Sequence, residues 1–348
     1  MEKFFLSLLA FIPITFIAEY LGAPSLYLFI FSALAIVPLA KYIGESTEEL
    51  TVYTGPALGG LMNATFGNAT ELIIGIFALH AGLIEVVKAS ITGSIIGNLL
   101  LVLGTAIICG GYNRKEQKFN ATAAKAAGST LILAVIALVI PAVFLQTSGT
   151  ASSHLVEELS VAVAILMILA YGASLFFSLK THKHLYEEDV AEVEAKWSKS
   201  KSITILLVAT VAVAFMSEIL VGSIEPLVAS LGWTELFIGV VFVAIIGNAA
   251  EHTSAITVAI KNKMDLALQV SIGSATQVAM FVAPALVLIS LLFQTHMSLV
   301  FNTFELVAII FSILIVNAVV EDGESNWFEG AQLLVAYIII AAAFFFHP

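Results

Sequence analysis

The sequence predicts an all-α integral membrane protein of eleven transmembrane helices. Two inverted five-helix repeats follow an extra N-terminal helix, and the N-terminus is cytoplasmic. Three observations carry this expectation. The chain is 60% hydrophobic and only 11% charged, with mean hydropathy +1.03, whereas soluble domains are about half apolar and about a quarter charged. A 348-residue globule has no interior large enough for so much apolar side chain. The cationic residues gather on one side of the apolar segments. Finally, the pentapeptide GNATE at Gly67–Glu71 returns as GNAAE at Gly247–Glu251, each time inside an apolar run.

Crossing a bilayer as a helix takes roughly 20 apolar residues. Segments of about that length occupy 4–20, 25–43, 54–80, 86–111, 121–145, 155–181, 203–223, 233–261, 265–293, 301–320 and 328–347. The first lies within 1–21 and, with Lys3 ahead of an apolar stretch, looks like a signal peptide. It lacks a clear small-x-small cleavage site, so it is read as a retained extra helix. Residues 25–181 form the first five-helix half and 203–347 the second. Between them, 182–202 reads as an acidic cytoplasmic linker holding Glu187, Glu188, Asp189, Glu192 and Glu194 ahead of the Lys-rich WSKSKS. That run is either a solvated connection or a short acidic helix that senses a cation.

Lysine and arginine concentrate in cytoplasmic loops. With the N-terminus inside, thirteen of the 14 Lys and Arg residues fall on the cytoplasmic side and Lys88 alone falls outside. The net charge of −11, with no dense basic patch, excludes a nucleic-acid partner. The single Cys109 excludes an intrachain disulfide.

Residues 59–104 align with 239–284 at an offset of 180 without a gap, and ten of the 46 positions are identical. Chance matches between apolar segments would be Ala, Ile or Val; these include Asn68, Glu71 and Ser94 with Asn248, Glu251 and Ser274. The orientation count makes the first copy run outward and the second inward. Inverted five-helix repeats mark secondary transporters, whose site lies at the repeat interface near the midplane.

In each motif Asn and Glu stand three apart, which places carboxamide and carboxylate on one helix face. The preceding glycine admits a close neighbour and local unwinding. The next segment adds Ser90, Gly93, Ser94, Gly97 and Asn98 in one copy, and Ser271, Gly273, Ser274 and Gln277 in the other. The candidate metal-binding set is therefore Glu71, Glu251, Asn68, Asn248, Ser94, Asn98, Ser274 and Gln277. Such an all-oxygen set suits Ca²⁺, which takes 6–8 oxygens; without nearby Cys or paired His it does not suit Zn²⁺ or Cu⁺.

An uncompensated intramembrane charge costs roughly 2.5–3.5 kcal/mol on insertion scales. A carboxylate escapes that cost by binding a cation or a proton. If both use the same oxygens of Glu71 and Glu251, the site exchanges one for the other. His252 beside Glu251 is either a proton relay or a hydrogen-bonded packing residue. Glu218, Glu225, Glu321 and Asp322 are pathway candidates at the mouths, or helix-end charges.

At GNATELIIG, GSIIGN, SEILV, GNAAEH, GSATQ and DGESNWFEG the chain resembles the calcium/proton exchanger (CAX) family of the cation/calcium exchanger superfamily, from about residue 25 onward. The sodium/calcium branch looks different, carrying a proline-containing S-x-PE pattern. The resemblance implies an eleven-span helical antiporter in which Glu71 and Glu251 bind Ca²⁺ and H⁺. The remaining amides and hydroxyls of the set would support the pathway. The reading is export of Ca²⁺ from the cytoplasm by alternating access, with no cofactor beyond the transported ions and a possible homo-oligomer; the 348-residue length, with so little outside the bilayer, points to a prokaryotic cell membrane. The rivals are an exchanger of the same fold coupled to Na⁺ or K⁺, and a cation channel. A hydrolase built on Glu251 and His252 lacks both H-E-x-x-H and G-x-S-x-G.

Overall fold

The computed structural model describes residues 2–148, 153–182 and 195–347, so the acidic run at 187–194 lies outside the described residues. The helices are α1 (Lys3–Tyr20), α2 (Ser25–Thr54), α3 (Pro56–Phe66), α4 (Ala69–His80), α5 (Ile84–Gly111), α6 (Ala121–Thr147), α7 (His154–Thr181), α8 (Lys199–Leu231), α9 (Glu235–Gly247), α10 (Ala249–Ile260), α11 (Met264–Ser290), α12 (Thr303–Val319) and α13 (Trp327–Phe346). Among the described residues, eight of these are long and apolar enough to cross a membrane: α1, α2, α5, α6, α7, α8, α11 and α13. A ninth crossing is available if α9 and α10, bent by 60° at their junction, count as one. The expected segments 54–80 and 301–320 do not qualify by length, because the first is divided at 67–68 and the second yields the 17-residue α12.

Both GNxxE segments break at their asparagine. Asn68 has φ −104° and ψ 24°, and Asn248 has φ −95° and ψ 14°. An Asn at a helix start ordinarily caps it with its side chain. Neither does so here: Asn248 Oδ1 accepts from Asn98 and Ser274 instead, and Asn68 Oδ1 has no hydrogen-bond partner among the described residues. Two further irregularities occupy equivalent positions: π-helical turns at Gly97–Val102 of α5 and Val278–Val282 of α11. Such turns gather at functional sites.

The helix α2 outruns its apolar pattern, which ends at Ile43. Ser46, Thr47 and Leu50 remain buried at helical spacing beyond that point. The hydroxyls of Thr47, Thr51 and Thr54 each donate to the carbonyl four residues back. The helix stops at Gly55, whose φ of +81° suits glycine, and Pro56 opens α3. Near the chain's other end, α12 begins with a reciprocal cap: Glu305 N–H donates to Asn302 Oδ1 (2.8 Å) and Asn302 N–H donates to Glu305 Oε2 (3.0 Å). Thr92 of α5 donates to the second Glu305 oxygen at 3.0 Å, tying α12 to the core. Asn302→Ala is expected to cost about 0.5–2 kcal/mol, read as a lower melting temperature of the detergent-solubilised protein.

The most enclosed spans are α5 and α11, the two that carry the Ser, Gly and amide stripes; α1, α7 and α13 are mostly exposed. A short antiparallel ribbon, β1 (Gln117–Lys118) with β2 (Glu324–Ser325), joins the loops after α5 and after α12.

Candidate functional site

Because α4 and α10 start immediately after the two breaks, Glu71 and Glu251 each lie in a first helical turn. The positive end of a helix dipole favours a carboxylate there. The two copies then interlock. A Cβ on Gly247 would lie 3.1 Å from Glu71 Cγ, so one copy's glycine abuts the other copy's acid. Asn248 is the hub. Its Nδ2 donates to Ser94 Oγ (2.8 Å) and to the Ala244 carbonyl (2.9 Å). Its Oδ1 accepts from Asn98 Nδ2 (2.8 Å) and from Ser274 Oγ (3.4 Å). Asn98 Nδ2 also donates to Ser274 Oγ (2.9 Å), and the Asn68 amide donates to the Gln277 side-chain oxygen. With Glu71 against Gly247 and Glu251 sharing a cavity lining with Ser274 and Gln277, all eight residues of the predicted set lie around one centre.

These hydrogen bonds leave acceptors over. Among the described residues, Asn68 Oδ1, Glu71 Oε1 and Oε2, Asn98 Oδ1 and Glu251 Oε2 are buried without a hydrogen-bond partner. A buried acceptor left unmet costs about 1–3 kcal/mol. Oxygens arranged this way are met by a cation or by protons, and their number and type fit a hard divalent ion. Among the described residues no group of three or more His, Cys, Asp and Glu side chains assembles. A cation held here would draw on two carboxylates with amide and hydroxyl oxygens.

A cavity of about 890 Å³ reaches this centre. It follows one face of α10 from Glu251 through Ser254 and Thr257 to Lys261, and it is also lined by Glu45, Glu48, Ser274 and Gln277. A second cavity of about 750 Å³ extends from Asn120 and Asp265 to Tyr171 and Gln277; both cavities are lined by Asn63, Gln269 and Gln277. Glu251 lines the first cavity, whereas Glu71 is 5% exposed and lines neither.

The remaining predicted residues stay apart from the centre. His252 is half-buried, its ring makes no hydrogen bond to the other described residues, and it lines neither cavity. Glu218, Glu225, Glu321 and Asp322 are exposed and likewise line neither cavity. Asp322 instead lines a polar cavity of about 620 Å³ between the ribbon loops. Sequence reasoning missed Glu48, Asn63 and Gln269. Ending α2 at 43 put Glu48 in a loop, and no repeated motif marks Asn63 or Gln269.

The fold and the oxygen-lined centre define a multi-pass helical membrane protein with buried polar oxygens where two helices break. The sodium/calcium exchanger protein family model matches residues 24–180 and 201–346, and the chain belongs to that family. It falls in the calcium/proton exchanger branch. It is 50% identical over 365 residues to a Ca²⁺/H⁺ antiporter of Synechocystis sp., covering 100% of this chain and 98% of that one. It is 48% identical over 348 residues to the Ca²⁺/H⁺ antiporter ChaA of Bacillus subtilis, covering 98% of each. The solved structure of native YfkE superposes with a TM-score of 0.87 at 45% identity, covering 99% of this chain and 100% of that one.

Proposed function

We propose that the protein is a Ca²⁺/H⁺ antiporter that exports Ca²⁺ from the cytoplasm by alternating access, with Glu71 and Glu251 as the exchange site. The observation that carries the reading is the set of buried oxygens on Glu71, Glu251, Asn68 and Asn98 that have no donor among the described residues. Ca²⁺ satisfies them with its positive charge, and protons satisfy them by converting carboxylates into donors. The bare, doubly charged site satisfies neither demand and is too costly to carry across the low-dielectric centre. A carrier that reorients only when loaded exchanges the two ions. The names of the relatives at 50% and 48% identity support the same ion pair.

On this reading the chain crosses the bilayer eleven times, with α3–α4 and α9–α10 as broken crossings and α12 as a short one. Residues 25–181 and 203–347 are the inverted halves, α1 is the extra helix, and 182–202 is the cytoplasmic linker. The N-terminus is cytoplasmic and the membrane is the cell membrane. The 890 Å³ cavity, with Lys41, Lys196 and Lys261 in its lining, opens to the cytoplasm, which is the side that cations on loops favour. The state described is inward-open, with Glu251 as the first carboxylate that Ca²⁺ meets.

Reconstitution into liposomes with an acid interior tests the reading. Ca²⁺ uptake is expected on the pH gradient alone, without Na⁺ or K⁺, and is expected to stop when an ionophore collapses that gradient. Uptake that ignores pH and follows Na⁺ would keep the fold and overturn the coupling ion.

A further inference from the structure

Besides Gly67 and Gly247 of the repeated motif, two glycine positions recur in both copies of the repeat: Gly59 with Gly239, and Gly93 with Gly273. Their surroundings are opposite. A Cβ on Gly93 would overlap the Val240 backbone, and one on Gly239 would lie 2.5 Å from Ala89 Cβ and 3.0 Å from the Val86 carbonyl. There α5 crosses the start of α9 with no room for a side chain. At the other end, a Cβ on Gly273 would meet nothing within 4 Å among the described residues, and Gly273 lines the 750 Å³ cavity. Gly59 rests instead against the Thr51 side chain of α2. Across both cavities, Asn63 of α3 faces residues of α11.

The 180-residue offset converts the closed crossing into its counterpart. Val240 becomes Gly60, Ala89 becomes Gln269, and Val86 becomes Leu266. The same contact made by α3 and α11 would seat Gly60 on Gly273 and Gly59 on Leu266 and Gln269. Leu266 and Gln269 line the 890 Å³ cavity, and Gln269 and Gly273 line the other. That single docking would therefore fill both spaces. A joint stands ready at Gly55, whose φ of +81° separates α2 from α3.

We propose that Gly60 and Gly273 form the closing contact of the inner gate, and that the Gly93–Val240 crossing is the same contact at the outer gate. The proposal rests on the alternating-access reading above. A glycine inside a helix is less favourable than alanine by roughly 0.5–1 kcal/mol, and Gly273 gains nothing for that in the open state. Its use lies in the closed state, where α3 needs the space. By the same offset, closing this end would open the outer one and bring Glu71 to the cavity position that Glu251 holds here.

The test uses the full chain carrying Cys109→Ala in liposomes. Gly273→Val fits the open space, so Thr257→Cys in the same chain should still react with a membrane-impermeant maleimide applied to the inner face. Ca²⁺ exchange should nevertheless fall to the protein-free background. In a second chain, Gly60→Cys with Gly273→Cys should form a disulfide on oxidation, since only closure brings the pair within the 4.4–6.8 Å between Cα atoms that a disulfide needs. Exchange should stop and return on reduction. A Gly273→Val chain that exchanges at the parent rate would overturn the proposal, as would a cysteine pair that never oxidises in a chain still exchanging. Should the parent move Ca²⁺ on a Na⁺ gradient alone, the coupling ion fails while maleimide access and the disulfide still report the gate.

Discussion

Replacing either Glu71 or Glu251 by Gln is expected to reduce pH-driven Ca²⁺ uptake to the level of protein-free liposomes. Gln keeps the size of the side chain, and Glu71 makes no side-chain hydrogen bond among the described residues that the change would break. The fold should therefore persist, as judged by an unchanged melting temperature and elution volume. What is lost is charge. Removing one partner from a buried ionic contact costs roughly 3–5 kcal/mol, which is a loss of affinity of more than about 100-fold. A site with one carboxylate also has one fewer group to protonate, so the proton-loaded return and the Ca²⁺-loaded step both fail. The two variants are expected to differ in one readout. Glu251→Gln should weaken Ca²⁺ binding from the inner side at once, because Glu251 lines the cavity and Glu71 lies behind it. Uptake that survives in both variants would make the repeated motif a scaffold and send the search elsewhere.

Asn248→Ala is expected to abolish exchange with both carboxylates still in place. Asn248 donates to Ser94 and the Ala244 carbonyl and accepts from Asn98 and Ser274. Truncation leaves Ser94 Oγ without its donor and takes one of the two acceptors from Asn98 Nδ2, at about 1–3 kcal/mol for each buried group left unmet. A lower melting temperature and background-level uptake should appear together. Ser94→Ala removes a single acceptor, and its effect should stay near tenfold, in line with the about 0.5–1.5 kcal/mol of one net hydrogen bond. An Asn248→Ala chain with parental uptake would show that the amide network does not hold the site.

Much of the centre was legible because it was written twice. Asn68 and Glu71, repeated as Asn248 and Glu251, stand out against an apolar background where chance repetition favours Ala, Ile and Val. The following stripe through Ser94 and Asn98, or Ser274 and Gln277, lies on the two most enclosed spans. The reciprocal cap of α12 also follows from local spacing, as an Asn three residues ahead of Glu305. Titratable residues outside the repeated pairs fared differently. His252 was drawn in by its place beside Glu251, and Glu218, Glu225, Glu321 and Asp322 by their places at helix ends, and all five lie outside both central cavities.

The sequence by itself determined the membrane class, the position of the paired carboxylates and the oxygen-rich character of their surroundings. These follow from composition and from spacings of a few residues, which act locally. Only the tertiary structure decided how the copies meet. The Asn98–Asn248 bond spans 150 residues and the Asn68–Gln277 bond spans 209, separations at which no helical period carries information. It also decided that Gly247 abuts Glu71, that α2 runs on to Thr54, and that Glu251 rather than Glu71 faces the cavity. Gly93 and Gly273 hold the same position in the two copies, so nothing local says which of them is packed and which is open. That choice is made where helix backbones pack at Gly93 and part at Gly273.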